Sequence, residues 1–194
     1  MSQKSRDILL DAAYEQFWIK GYSGTSVDSI LQKAKLPKGS FYHFFKSKKA
    51  IAIATIQERI VPKMKHIFTP PQGDDDPIDA MILAISRIAS VEKLLTRGCP
   101  LNKLIRELLP QNDAELNKAL IDAYKEILLL VAEQLQKAID SNLIQPKDSN
   151  ELAKFILSTT WGALSLGEKP ITKESFLASL ELMHEYLNLL RIKK

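Results

Sequence analysis

Residues 21–51 read GYSGTSVDSILQKAKLPKGSFYHFFKSKKAI, from Gly21 to Ile51, and this stretch decides the fold. Gly21 stops a preceding helix, because glycine accepts the left-handed conformation of a helix C-cap. Thr25-Ser26 is an N-cap signal in front of Val27, Ile30, Leu31 and Ala34, which recur with helical spacing. Leu36-Pro37 interrupts that helix, since a residue before proline avoids the helical region. A short helix runs from Pro37 or Lys38 to about Phe44, and Ser47 caps another that carries Ala50, Ile51, Ala54, Ile56 and Ile60. A helix from about Lys4 to Lys20 comes before all of these, with Ile8, Leu9, Ala12, Ala13 and Phe17 on one stripe. Three short helices, the second and third joined by a tight break, have the proportions of a helix-turn-helix.

Within the short third helix, Phe41 and Phe45 are four residues apart and share a face, which marks them as core together with Phe17, Val27, Ile30 and Leu36. Tyr42 and His43 then fall on the other side, free to reach the edges of bases or a phosphate backbone. Gly39 has no Cβ, so the start of this helix can approach a phosphate closely. The outward amides and the helix dipole favour an anion there, and Lys38 and Lys48 add charge. A helix of this size fits a major groove about 12 Å wide. No arginine stands where it could read guanine in bidentate fashion, so the sequence leaves base specificity open.

Charge points the same way. Residues 1–65 hold 12 Lys/Arg against 5 Asp/Glu, whereas the remainder holds 15 against 18, so the net charge of +4 conceals a basic module on a mildly acidic one. A basic module of that kind suits a polyanionic partner.

The matches at Gly21-Tyr22, Thr25-Ser26-Val27, Ile30, Ala34, Lys38-Gly39-Ser40-Phe41-Tyr42, Phe45, Ser47-Lys48 and Ala50 resemble the DNA-binding domain of the TetR family of bacterial transcriptional regulators. The resemblance is strong from residue 4 to about 65 and architectural beyond. It implies an all-α protein of about nine helices. The DNA-binding domain would span residues 1–48 and a connecting helix about 48–66, with a ligand-sensing and dimerisation domain over 67–194. It implies DNA contacts from Thr25 or Ser26, from Lys38, Gly39, Ser40 and Tyr42, and from Lys48, to which the outward position of His43 adds a further candidate. The partners would be a palindromic operator in double-stranded DNA, a second copy of the chain and a small-molecule effector. The expected function is that of a dimeric repressor released from its operator by a small apolar or aromatic ligand.

The rest of the sequence supplies further expectations. Pro62 should kink or end the fourth helix and is a candidate hinge. Thr69 to Pro77 reads as a loop, with Asp76 and Pro77 as N-cap and first helical residue. Helices are expected over Pro77 to Leu95 and from Cys99-Pro100 to Leu109. The longest should run from Asn112 or Asp113 to about Ser141, followed by one capped at Asp148 and, after a turn at Gly167 to Pro170, one capped at Thr172. The last carries Phe176, Leu180, Met183, Leu187 and Leu190 on one stripe. The resemblance implies that these last two helices pair with their copies as a four-helix bundle. Phe68, Ile88, Cys99, Leu104, Tyr124, Phe155 and Trp161 are the candidates to line an effector pocket.

Cys99, the one cysteine, excludes an intrachain disulfide and a cysteine-based metal site. It stands at a predicted helix start beside Arg97, a setting that lowers a thiol pKa. An alternative function is therefore a thiol-based sensor of electrophiles or oxidants on the same DNA-binding scaffold. No cofactor and no enzymatic activity are expected: the three histidines, His43, His66 and His184, have no metal-spacing partner. The longest uncharged run, between Lys154 and Glu168, is too short and polar to span a bilayer, and a cytoplasmic protein with no membrane partner is expected.

Overall fold

The computed structural model describes residues 3–70, 76–165 and 172–192. The predicted turn at Gly167 to Pro170 and the middle of the Thr69–Pro77 loop lie outside these residues. Eleven α-helical segments occur among the described residues: α1 (Gln3–Lys20), α2 (Val27–Ala34), α3 (Lys38–Phe44), α4 (Lys48–Thr55), α5 (Val61–Phe68), α6 (Pro77–Ser86), α7 (Glu92–Arg97), α8 (Pro100–Leu108), α9 (Ala114–Asp140), α10 (Ser149–Ser165) and α11 (Lys173–Leu189). Since α4 and α5 are continuous through a π turn, and α6 and α7 are joined by a 3-10 turn, these reduce to nine helices. The only extended pairing described is an isolated antiparallel bridge between Ile144 and Arg191.

The caps are largely those that the side chains dictate. Ser26 and Ser29 form a reciprocal capping box at the start of α2, Ser47 accepts from the Ala50 amide, and Thr172 accepts from the Ser175 amide. Asp76 accepts from the Ile78 and Asp79 amides with Pro77 in the first turn of α6. Asp113 does the same for Glu115 and Leu116 in front of α9. The break between α2 and α3 has a second cause besides Leu36-Pro37: Lys35 itself adopts the left-handed conformation, φ 54°, and closes α2.

Two expectations need correction. The helix predicted from Pro77 to Leu95 is interrupted by the 3-10 turn at Arg87–Ser90, after which α7 begins. Pro62 does not end the helix that contains it. The chain forms a π turn over Ile56–Ile60, in which the Val61 amide bonds the Ile56 carbonyl, and continues through Pro62 to Phe68. Proline offers no N–H to the Glu58 carbonyl four residues back. Arg59 Nη1 supplies the missing donor to that carbonyl at 3.1 Å. The same guanidinium bonds Asp11 at 2.6 Å and Asp7 at 2.7 Å, both on α1. Arg6 forms a bidentate pair with Glu58, each bond 2.6 Å. The π turn is thus tied to the first half of α1 by charge-assisted hydrogen bonds on both sides.

The described chain divides into two compact units. The first joins everything up to Lys63 with Pro100–Tyr124, and the second joins Met64–Cys99 with the chain from Lys125 onward. In the first unit α1 packs on α2, α3, α4 and α8 around Leu9, Leu10, Phe17, Ile30, Phe41, Ile51 and Ile56, all buried. In the second unit α11 packs on α10 and α6, burying Phe176, Leu180, Met183 and Leu187.

Replacing Arg59 with leucine leaves the Glu58 carbonyl without its donor and frees Asp7 and Asp11. A loss of about 1–2 kcal/mol in denaturant-unfolding stability is expected, with circular dichroism showing helix content otherwise retained.

Candidate nucleic-acid interface

The outward face of α3 is set by what its inward face buries. Phe41 is fully buried and Phe45 nearly so, their rings 5.9 Å apart. With those two turned inward, Lys38, Gly39, Tyr42 and His43 are exposed on the opposite side, Tyr42 at 54%. The Tyr42 ring rests edge-on against Phe41 at 5.3 Å and His43 against Phe44 at 4.6 Å, which orders both without covering them. Ser40 lies on the buried side.

Gly39 is informative because the fold itself does not require it. Its φ lies outside the left-handed range, and a Cβ built there meets no heavy atom within 4 Å. Neither backbone conformation nor packing calls for glycine at the exposed start of α3.

The turn between α1 and α2 is the second part of the surface. Ser26, the N-cap of α2, is exposed. Thr25 is 1% exposed and spends its hydroxyl on the Gly21 carbonyl at 2.6 Å, so its side chain braces the turn and faces inward. Lys48, at the start of α4, is partly buried. Its ammonium donates to the carbonyls of Tyr22 and Thr25 at 3.1 and 3.0 Å and sits 4.2 Å from the centre of the Tyr22 ring. Two carbonyls and an aromatic face hold that charge in a fixed place.

Residues the sequence did not single out complete the turn. Glu107, on α8, accepts from the Tyr22 amide at 2.8 Å and the Ser23 amide at 2.7 Å. Lys103, one turn earlier, donates to the last carbonyls of α1, Trp18 at 2.9 Å and Ile19 at 2.8 Å. Burial pushes the Glu107 pKa up, but the Ser23 and Tyr22 donors together with Lys103 bring it below the ordinary glutamate value. Lys49 pairs with Asp113 at 3.2 Å and Glu115 at 2.9 Å at the start of α9. The i, i+4 spacing of Lys103 and Glu107 was visible in the sequence. Their partners lie more than eighty residues away, and nothing local points to them. Gly21 and Gly24 are both demanded here. Gly21 has φ 74° and a Cβ would come 2.4 Å from Glu107 Oε2, while at Gly24 a Cβ would come 2.5 Å from the Lys20 carbonyl oxygen.

The candidates to line an effector pocket fall in both units. Phe68, Ile88, Cys99, Phe155 and Trp161 belong to the second unit and Leu104 and Tyr124 to the first. Phe68, Ile88, Leu104 and Trp161 are buried, and Tyr124 is partly exposed. Phe155 is 38% exposed and packs edge-on against Tyr186 at 5.0 Å, so it belongs to the outer surface of α10 and α11 rather than to an enclosed lining. Cys99 is 2% exposed, its Sγ 3.8 Å from Met64 Sδ. Among the described residues no cluster of three or more His, Cys, Asp or Glu could hold a metal ion, and no helix is long and apolar enough to cross a membrane.

The model for the family of bacterial regulatory proteins, tetR family, matches residues 9–55. The HTH-type transcriptional repressor NemR of Escherichia coli is 36% identical over 143 residues, 72% of this chain and 71% of that protein. The chain belongs to the TetR family. The HTH-type transcriptional repressor DhaR of a Mycobacterium species is 27% identical over 173 residues, covering 82% of this chain and 80% of that one. The regulatory protein TetR from Rhodobacter sphaeroides shares the fold, with a TM-score of 0.81 at 22% identity over 94% of this chain and 98% of that chain. This TetR-family chain is accordingly a helix-turn-helix transcriptional regulator. Its N-terminal helix-turn-helix and larger helical C-terminal part are those expected from its sequence.

Glu107 contributes most when ionised. Its folded-state pKa is lowered, so its contribution is complete above the ordinary glutamate pKa and is lost as pH falls through the lowered value. Amide hydrogen exchange of Tyr22 and Ser23, extrapolated to a common intrinsic rate, is expected to accelerate over that acidic window in the wild type and to be insensitive to pH in Glu107→Gln.

Proposed function

We propose that this regulator is a homodimeric repressor that holds a two-fold-related operator through α3 and the α1–α2 turn, and leaves it when a small apolar or aromatic effector binds the helical C-terminal part. The observation that carries the DNA contact is Gly39: exposed, unstrained and unneeded by internal packing, it is explained by the close approach of another molecule to the start of α3. Lys38, Tyr42 and His43 surround that approach. Ser26 and the anchored Lys48 offer a second contact to the phosphate backbone. Thr25 would act through its backbone and its brace, and Ser40 through the packing of α3.

The dimer is supported by a stripe that the sequence reading did not separate. The expected stripe of Phe176, Leu180, Met183, Leu187 and Leu190 is consumed within the chain itself, every member buried. A second stripe, Leu182, Tyr186 and Leu189, remains 67%, 40% and 78% exposed. Its i, i+4, i+7 spacing forms one continuous face, joined to α10 by the Phe155–Tyr186 contact. Leaving apolar groups of one helix in water is unfavourable, by up to about 1.5–3 kcal/mol for a fully exposed leucine, and a copy of the same face relieves it. Two-fold pairing suits a palindromic site.

For the effector, the second unit holds Phe68, Ile88 and Trp161 as buried apolar and aromatic side chains. A ligand acts by binding one arrangement of the subunit better than another. The thiol-sensor alternative has less behind it, because a thiol buried against a thioether behaves as a small hydrophobe.

A duplex selected by the protein from a random pool should bind with an affinity that falls steeply as salt rises. Lys38→Ala should weaken binding evenly across sequences and reduce the salt slope by about one. Failure to enrich any duplex would overturn the reading. Leu182→Glu with Leu189→Glu should yield monomers in analytical ultracentrifugation at micromolar concentration and abolish tight binding to the selected duplex. If these variants remain dimeric, the interface lies elsewhere.

A further inference from the structure

We propose that Glu107 is a positioning residue for DNA binding: from α8 it fixes the α1–α2 turn, and with it Ser26 and Lys48, without touching DNA. The inference rests on the DNA-binding reading of α3 and this turn.

The geometry is that of a clamp with two jaws. On one side Glu107 takes the Tyr22 and Ser23 amides at 2.8 and 2.7 Å. On the other, Lys48 Nζ takes the Tyr22 and Thr25 carbonyls at 3.1 and 3.0 Å. Tyr22 is therefore held at both its N–H and its C=O, by opposite charges from two different helices. Inside the turn, the Thr25 amide donates to the Tyr22 carbonyl at 3.2 Å and the Thr25 hydroxyl to the Gly21 carbonyl at 2.6 Å. The next residue, Ser26, opens α2. A displacement of the Tyr22 peptide thus moves the two carbonyls that hold the Lys48 ammonium and the residue that caps α2. Lys103 secures the same region from behind, donating to Trp18 and Ile19 at the end of α1.

Two details show how tightly the carboxylate is fitted. It occupies the space that a Cβ on Gly21 would need, 2.4 Å from Oε2. Each of its oxygens also takes a different backbone amide. Glutamine at this position can accept from only one of them, because its NH2 group meets the other amide donor to donor.

The sign of the effect separates positioning from simple electrostatics. Glu107→Gln removes one negative charge from the first unit. Coulomb attraction alone makes that variant bind the DNA polyanion more tightly. Positioning makes it bind more weakly, because the loosened turn must be reordered on binding.

The experiment uses the full-length protein and a duplex that the wild type selects from a random-sequence pool, with binding followed by fluorescence anisotropy at several salt concentrations. Amide hydrogen exchange of Tyr22 and Ser23 is followed in the free protein. The expected result is a roughly tenfold or greater weakening of affinity for Glu107→Gln, in line with losing a hydrogen bond to a charged group. The salt slope stays unchanged, because no phosphate contact is lost, and exchange is faster at those two amides. Glu107→Asp, which keeps the charge on a shorter arm, should fall between, and it carries the test if the glutamine variant does not fold. Equal or tighter binding by the variants, or weaker binding with unaltered exchange at Tyr22 and Ser23, overturns the proposal and leaves the DNA-binding reading standing. A wild type that selects no duplex overturns both.

Discussion

Complete burial of Phe41 fixes the rotation of a helix only seven residues long, and the surface of the first unit follows from it. Removing a phenylalanine side chain from water stabilises by about 1.5–3 kcal/mol, a strong constraint on so short an element. Once Phe41 and Phe45 are turned under α1 and α2, Tyr42 and His43 have nowhere to go but outward. The outward face of α3 is thus the complement of its hydrophobic anchor. Gly39, which the anchor does not need, stands at the front of it.

Helix α1 is the member against which the rest of the first unit is aligned, and it is held at both ends by charge. Near its start Arg6, Asp7 and Asp11 meet Glu58 and Arg59 of the π turn. At its end Lys103 and Glu107 take the last carbonyls and the amides just beyond. Exposed ion pairs are worth little one at a time. These differ because several also satisfy backbone groups that a helix end, a tight turn or a proline leaves without partners. Their value lies in fixing geometry. The long α9 belongs to this unit by its first turns and to the second unit by the remainder.

The second unit separates two uses of apolar surface on a single helix. One stripe of α11 closes the core of the second unit, and the adjacent stripe stays open beside Phe155. Arg191, just beyond α11, bonds Asp79 at 2.7 Å and also Asp76, while Ile192 donates to the Leu143 carbonyl. The end of α11 is thereby pinned to the start of α6 and to the turn after α9, so the open stripe is presented by a helix fixed at that end.

Local signals in the sequence determined the helical class, the caps at Ser26, Ser47, Asp76 and Thr172, and the division of α3 into a buried Phe41/Phe45 side and an outward Tyr42/His43 side. They could do so because capping and helical periodicity depend on residues three or four apart. The tertiary structure decided whatever depends on a distant partner. It turned Thr25 inward, spent Lys48 on two carbonyls, carried the helix through Pro62 with the help of Arg59, and brought Glu107 to a turn more than eighty residues earlier. It also assigned the Phe176–Leu190 stripe to the chain's own core and left Leu182, Tyr186 and Leu189 outside. A side chain's type states which bonds it can make, whereas only the packed chain settles which of the many possible partners stands within 3 Å of it.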